Sequence, residues 1–210
     1  MWSQTRKENL LIAMFVLIVL AASFLITPGY QTLVAGDQTG YIPPLLQRVH
    51  PELFPNDFGI ALFQSTLSRR FFFLDVLALL LKTGIDMYQL FFILMLVSRA
   101  LQFISLYYIA NYFTQNKLLS IAVLLAFLPG IHVFGAGFGI FETALSYRTV
   151  AFALGFSGLA LTLYKRPLPA FAVLCGSALM HPLSALGFFA FYYGKIAMRF
   201  FREGVRGMLS

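Results

Sequence analysis

One long polar stretch interrupts this apolar chain of 210 residues, and it holds the side chains best suited to chemistry. It covers residues 35–58, AGDQTGYIPPLLQRVHPELFPNDF, and contains the carboxylates Asp37, Glu52 and Asp57. A loop carboxylate can act as a general base toward a hydroxyl group, or it can bind a divalent cation. We expect one of these roles for Asp37, and the alternative is an aspartate that forms an Asx-turn. Asp57 is a candidate for substrate binding, although capping of a helix that begins at Phe58 explains it as well.

Arg99 is a second candidate, because it lies inside an apolar segment, residues 87–112. Gln102 follows three residues later and therefore falls on the same helical face. A cation inside a membrane is costly and usually faces a polar interior, so substrate binding is the functional interpretation. Ion pairing with Asp75 or Asp86 is the structural alternative.

Three more candidates are Glu142 and Arg148, which flank the start of segment 149–164, and His181, which lies within residues 168–193. Each can contact a polar ligand, whereas a salt bridge, snorkelling or a plain helix kink would explain them structurally. The sequence has no GxSxG, Walker, HExxH or CxxC pattern, which disfavours the commonest nucleophile, nucleotide and zinc chemistries. Cys175 is the only cysteine, so no intramolecular disulfide and no cysteine-based metal site can form. The one cofactor that we consider is a divalent cation.

The composition indicates a protein of the cell membrane. Hydrophobic residues make up 60 % of the chain and charged residues 11 %, and the mean hydropathy is +0.81. A soluble domain carries about 25 % charged residues. Lipid can accommodate this much apolar surface, so membrane lipid is an expected partner. The net charge of +7 is explained by basic residues on the cytoplasmic side, and no nucleic-acid partner is expected.

The apolar segments predict an all-α fold, a polytopic bundle of about five to six transmembrane helices in one domain, residues 1–210. The longer predicted spans are residues 9–27, 87–112, 117–134 and 149–164. The first of these is interpreted as a retained anchor, because it is longer than a signal-peptide core. Residues 28–86 form a long outer loop, in which 69–82 is an interfacial or re-entrant helix because its apolar run is too short to span. Pro43 and Pro44 are expected to break the backbone and leave a short helix over residues 45–49.

Residues 168–193, with His181-Pro182 near the middle, allow two interpretations. By length they form one kinked helix, since each half is short for a full crossing. By charge they form a pair of short helices, 168–180 and 183–194, because basic clusters on both flanks should stay in the cytoplasm. We favour the pair. Both termini are then cytoplasmic, and residues 28–86 and 135–148 lie outside.

The order of these features resembles the N-terminal half of the GT-C class of polytopic membrane glycosyltransferases. The stretch GDQTGYIPPLLQRVHPELFPND looks like the first outer loop of bacterial members, and SYRTVAFALGFSGLALTLYKRP and ALMHPLSAL are similar to their later helices. The resemblance implies a cell-envelope enzyme that transfers a sugar from a polyprenyl-phosphate donor to an acceptor on the outer side. It also implies that Asp37 deprotonates the acceptor hydroxyl. From their placement we infer that Arg99, Arg148 or His181 neutralises the leaving phosphate.

Members of this class are usually longer and have more helices. The resemblance therefore implies a further C-terminal portion or a partner subunit as well as the lipid-linked donor. The alternative is a non-enzymatic polytopic membrane protein, either half of a transporter or an assembly subunit. Paired inverted repeats would favour transport, and we find none in the sequence.

Overall fold

The structure is a computed structural model that describes residues 38–65, 71–126 and 144–203, with residues 10, 13–15, 17, 18 and 21 of an N-terminal helix. No strand occurs among these residues, and helices account for 85 % of them. The predicted all-α class is confirmed for this part of the chain. The helices are α1 (Gln38–Val49), α2 (Phe58–Ser65), α3 (Phe71–Leu81), α4 (Met87–Thr114), α5 (Lys117–Ala126), α6 (Tyr147–Leu163), α7 (Pro167–Met180) and α8 (Pro182–Glu203).

Among the described helices, α4 alone is both long and apolar enough to cross a membrane, judged by length and composition. Its 28 residues span about 42 Å at 1.5 Å per residue. Four other apolar helices are shorter, with 10–17 residues each. The structure therefore supports an all-helical architecture, and the number of five to six spans stays a prediction. Of predicted span 117–134, α5 is described, and residues 127–134 lie outside the described part.

The two faces of α4 differ in polarity, and the polar face is the buried one. Ser98, Arg99, Gln102 and Ser105 are at most 4 % exposed. The opposite stripe consists of apolar residues that are 37–48 % exposed: Ile93, Val97, Leu101 and Ile104. A helix on the surface of a soluble protein has the reverse arrangement, with polar side chains outward.

Helix α6 packs against α4, α7 and α8, and small buried residues allow these close approaches. At Gly158 a Cβ atom would lie 2.6 Å from the Leu174 side chain of α7. At Gly155 a Cβ atom would overlap the Phe188 ring of α8. Such small-residue contacts are typical of helix packing in membranes.

The chain reverses direction at His181, so that α7 and α8 lie side by side. The Tyr192 hydroxyl donates to Pro167 O at 3.3 Å, and the Tyr192 and Phe171 ring centroids are 6.0 Å apart. Residues 168–193 thus form two packed helices. The second helix continues to Glu203, beyond the predicted end at residue 194.

Helix α1 differs from the sequence prediction, because it begins at Gln38 and contains both Pro43 and Pro44. Prolines in these positions remove two backbone hydrogen bonds to the first turn. Tertiary packing compensates for this loss, because α1 contributes Tyr41 and Leu45 to a core shared with α3 and α4. The same core includes Leu145 and Tyr147, so it holds α1 beside the start of α6.

Candidate functional site

Polar side chains converge where α1 begins, α6 begins and α7 meets α8. We call this group the polar cluster, and it comprises Gln38, Tyr41, Arg99, Gln102, Ser146, Tyr147, Arg148, Thr149 and His181. It contains three residues that the sequence singles out as substrate-binding.

The start of α1 is hydrogen-bonded to the segment that precedes α6. Gln38 Nε2 donates to Leu145 O at 3.2 Å, and the Tyr41 hydroxyl donates to the same oxygen at 2.5 Å. Both side chains are at most 1 % exposed. Two buried donors on one carbonyl oxygen fix the start of α1 against the start of α6.

A capping box fixes the first turn of α6. Ser146 Oγ accepts from Thr149 N at 3.2 Å, while Thr149 Oγ1 accepts from Ser146 N at 3.3 Å. These reciprocal bonds satisfy backbone N–H groups that the helix cannot pair. The cap therefore sets the direction in which Tyr147 and Arg148 leave the backbone.

Arg148 and His181 both adjoin Tyr147, although they belong to different parts of the sequence. The Arg148 guanidinium carbon lies 5.7 Å from the Tyr147 ring centroid, within the range of a cation–π interaction. The ring centroids of Tyr147 and His181 are 5.0 Å apart. The structure thus brings together two residues that the sequence nominates independently.

His181 also caps α8. Its Nδ1 lies 3.1 Å from Ser184 N and 2.6 Å from Ser184 Oγ. Because a backbone N–H can only donate, Nδ1 acts as the acceptor. Neutral His181 consequently carries its proton on Nε2.

Gln102 joins helix α4 to the polar cluster, and Arg99 lies on the same buried face of α4. Gln102 Nε2 donates to Thr149 O at 3.1 Å, and both side chains are at most 2 % exposed. The sequence offered Asp75 and Asp86 as ion-pair partners of Arg99, and both acids make other contacts in the structure. Asp75 pairs with Arg48 at 3.2 Å, and the Asp86 carboxylate caps α4 by accepting from its first turn. Each of the two acids thus has a contact of its own that does not involve Arg99.

The remaining candidates lie elsewhere. The Asp57 side chain is exposed and caps α2, since its Oδ1 accepts from Ile60 N at 2.9 Å. Asp37 and Glu142 lie outside the described residues, and so does the cation site considered at Asp37. Within the described part of the chain, no three His, Cys, Asp or Glu side chains are grouped so that they could hold a metal ion.

The sequence interpretation missed Gln38 and Tyr41, because it assigned both to an irregular loop. A signal was present, since residues 38, 41 and 45 have the i, i+3, i+7 spacing of one helical face. All three are buried in the structure. The two adjacent prolines concealed this pattern.

Comparison with known proteins finds no matching family, no matching curated protein and no matching solved structure. The proposal for function therefore starts from the geometry of the polar cluster.

Proposed function

We propose that the chain is a multi-pass protein of the cell membrane with both termini in the cytoplasm. The support comes from α4, whose apolar stripe is exposed while its arginine, glutamine and serines are buried. Lipid stabilises an exposed apolar stripe of this length, and a polar interior stabilises a buried cation. The shorter apolar helices α5, α6 and α7 would complete the bundle as tilted or partial crossings.

The chain is further proposed to be a GT-C-type glycosyltransferase or its N-terminal module. It would transfer a sugar from a polyprenyl-phosphate donor to an acceptor hydroxyl on the outer side. One observation carries this proposal: Arg148 and His181 adjoin the same Tyr147 ring, beside the point where α1 begins. Asp37, the proposed base, is the residue before Gln38 in the sequence.

In the proposed reaction Asp37 accepts the proton of the acceptor hydroxyl. The hydroxyl oxygen bonds to the anomeric carbon of the sugar, and the bond from that carbon to the donor phosphate breaks. The polyprenyl phosphate leaves with the electron pair of the broken bond. Arg148, assisted by Arg99 and His181, offsets the negative charge that develops on this phosphate. Glu142 would contact the sugar hydroxyls.

The test is a transfer assay with purified protein in lipid vesicles and a labelled lipid-linked sugar. Asp37→Asn is expected to lower transfer by about 10²–10⁴-fold, the usual contribution of a general base. Asp57→Asn is the matched control, because asparagine caps a helix nearly as well as aspartate and activity should persist. Addition of a chelator distinguishes the two roles of Asp37, general base and cation ligand, because only a metal-dependent enzyme loses activity in its presence.

Equal loss in the Asp37 and Asp57 variants, or full activity of the Asp37 variant, would contradict the proposed role of Asp37. A wild-type protein that transfers no sugar, even with cell membranes added as a source of partners, would favour the non-enzymatic membrane protein instead.

A further inference from the structure

A cleft of about 370 Å³ lies at the opposite end of α6 from the polar cluster. It is bordered by the ends of α4 and α6, the start of α7 and one face of α8. The two regions lie about 25 Å apart, because the 17 residues of α6 between them rise by 1.5 Å each. The cleft is therefore a separate site, and the proposed sugar transfer does not use it.

The cleft is strongly basic. Lys165, Lys195, Arg199 and Arg202 line it, and none of its described lining residues is acidic. The last three recur at i, i+4 and i+7, so they share one face of α8. Three basic residues on one face of α8 therefore border the cleft.

Two contacts between helices hold the walls of the cleft in place. Lys195 Nζ lies 5.9 Å from the Tyr112 ring centroid, within cation–π range. The Tyr192 hydroxyl donates to Pro167 O, which ties α8 to the start of α7. Arginine forks and a lysine ammonium in one preorganised concavity are the groups that bind phosphate.

We propose that this basic cleft binds a phosphate group, with an anionic lipid headgroup as its source. Leu168 and Phe201, which neighbour lining residues in the sequence, are 82 % and 84 % exposed and could contact acyl chains. In the proposed topology the cleft faces the cytoplasmic leaflet, where anionic lipids attract basic segments. The binding itself does not depend on sugar transfer, so the two proposals can fail separately.

The test measures the thermal stabilisation of the detergent-solubilised protein by short-chain lipids. Dioctanoyl phosphatidylglycerol is the probe, and dioctanoyl phosphatidylcholine is the comparison with no net charge. Wild-type protein is expected to be stabilised by the first lipid and unaffected by the second. The double variant Lys195→Gln/Arg202→Gln should bind phosphatidylglycerol about 10- to 30-fold more weakly, from the contribution of two cations.

Arg166→Gln is the matched control, because Arg166 neighbours Lys165 in the sequence but does not line the cleft. Its affinity should stay within about two-fold of wild type, since its charge acts only at a distance. The unfolding temperature of each variant without lipid shows whether the fold is intact. If the double variant itself unfolds, the single variant Arg202→Gln takes its place, because that side chain is exposed.

Inorganic phosphate distinguishes the two sources of the phosphate group. If it stabilises the protein and displaces the lipid, the ligand is a soluble phosphate; if it does neither, the ligand is the lipid headgroup. Both results support a phosphate site in the basic cleft. Equal weakening by Arg166→Gln and by the double variant, or equal binding of the two lipids, would overturn the proposal.

Discussion

Packing of α6 on α7 at Gly158 gives a quantitative prediction for the Gly158→Ala variant. The added Cβ atom would lie 2.6 Å from Cγ and Cδ2 of Leu174, whose side chain is fully buried, and 3.4 Å from Ala170 O. Forcing extra volume into such a contact costs about 1–3 kcal/mol. Alanine in place of glycine within a helix stabilises by about 1 kcal/mol. The free energy of unfolding should therefore fall by about 0–2 kcal/mol.

Gly176→Ala is the matched control, since Gly176 lies within α7 at the same α6–α7 interface. A Cβ atom there would lie 3.5 Å from Leu154 Cδ1, an ordinary van der Waals contact. Only the helix-propensity gain of about 1 kcal/mol remains for this variant. The two substitutions should thus differ by about 1–3 kcal/mol, although their chemistry is the same.

Thermal unfolding followed by circular dichroism in one detergent measures this difference. A change of 1 kcal/mol shifts the midpoint by about 2–4 °C in a protein of this size. Gly158→Ala should melt about 2–12 °C below Gly176→Ala. If Gly158→Ala melts at the same temperature as Gly176→Ala or above it, α6 and α7 do not meet at Gly158.

The cap of α4, the Arg48–Asp75 ion pair and the topology give three further predictions. Asp86→Ala removes the acceptor for the Tyr88 and Gln89 N–H groups and should cost about 1 kcal/mol of stability in the same thermal assay, whereas Asp86→Asn should be nearly neutral. Asp75→Asn should cost about 1–3 kcal/mol, because the side chain of its partner Arg48 is only 14 % exposed, although that of Asp75 is 61 % exposed; no loss of stability would mean that the ion pair does not support Arg48. Reporter domains fused after Gly204 should remain in the cytoplasm, and an outer location would contradict the arrangement with both termini inside.

Local features were predictable from the sequence where neighbouring residues decide them. Asp57 and Asp86 cap α2 and α4, as their positions before apolar runs indicate, because a cap needs only a short side-chain acceptor and the N–H groups that follow. The break expected at Pro43-Pro44 was wrong, because distant contacts hold α1 together. The hydrogen bonds from Gln38 and Tyr41 to Leu145 join residues that are far apart in the sequence.

The arrangement of the candidate site was less accessible to sequence reasoning. Arg148 and His181 were nominated separately, and their shared contact with Tyr147 depends on how α6 packs against the α7–α8 pair. The contact between Asp75 and Arg48 was missed for a similar reason. Packing of α1 against α3 places Arg48 beside Asp75, and no local pattern shows this contact.

The central claim is that α4 presents its apolar stripe to lipid and its polar face to the interior. Spin labels on single cysteines test this claim in vesicles, in a Cys175→Ser background that removes the native thiol. A label at Val97 should be relaxed more strongly by oxygen, which partitions into lipid, than by a water-soluble nickel chelate. A label at the exposed loop residue Asn56 should show the opposite preference. If the nickel chelate relaxes the Val97 label as strongly as the Asn56 label, this face of α4 lies in water and the membrane architecture is wrong.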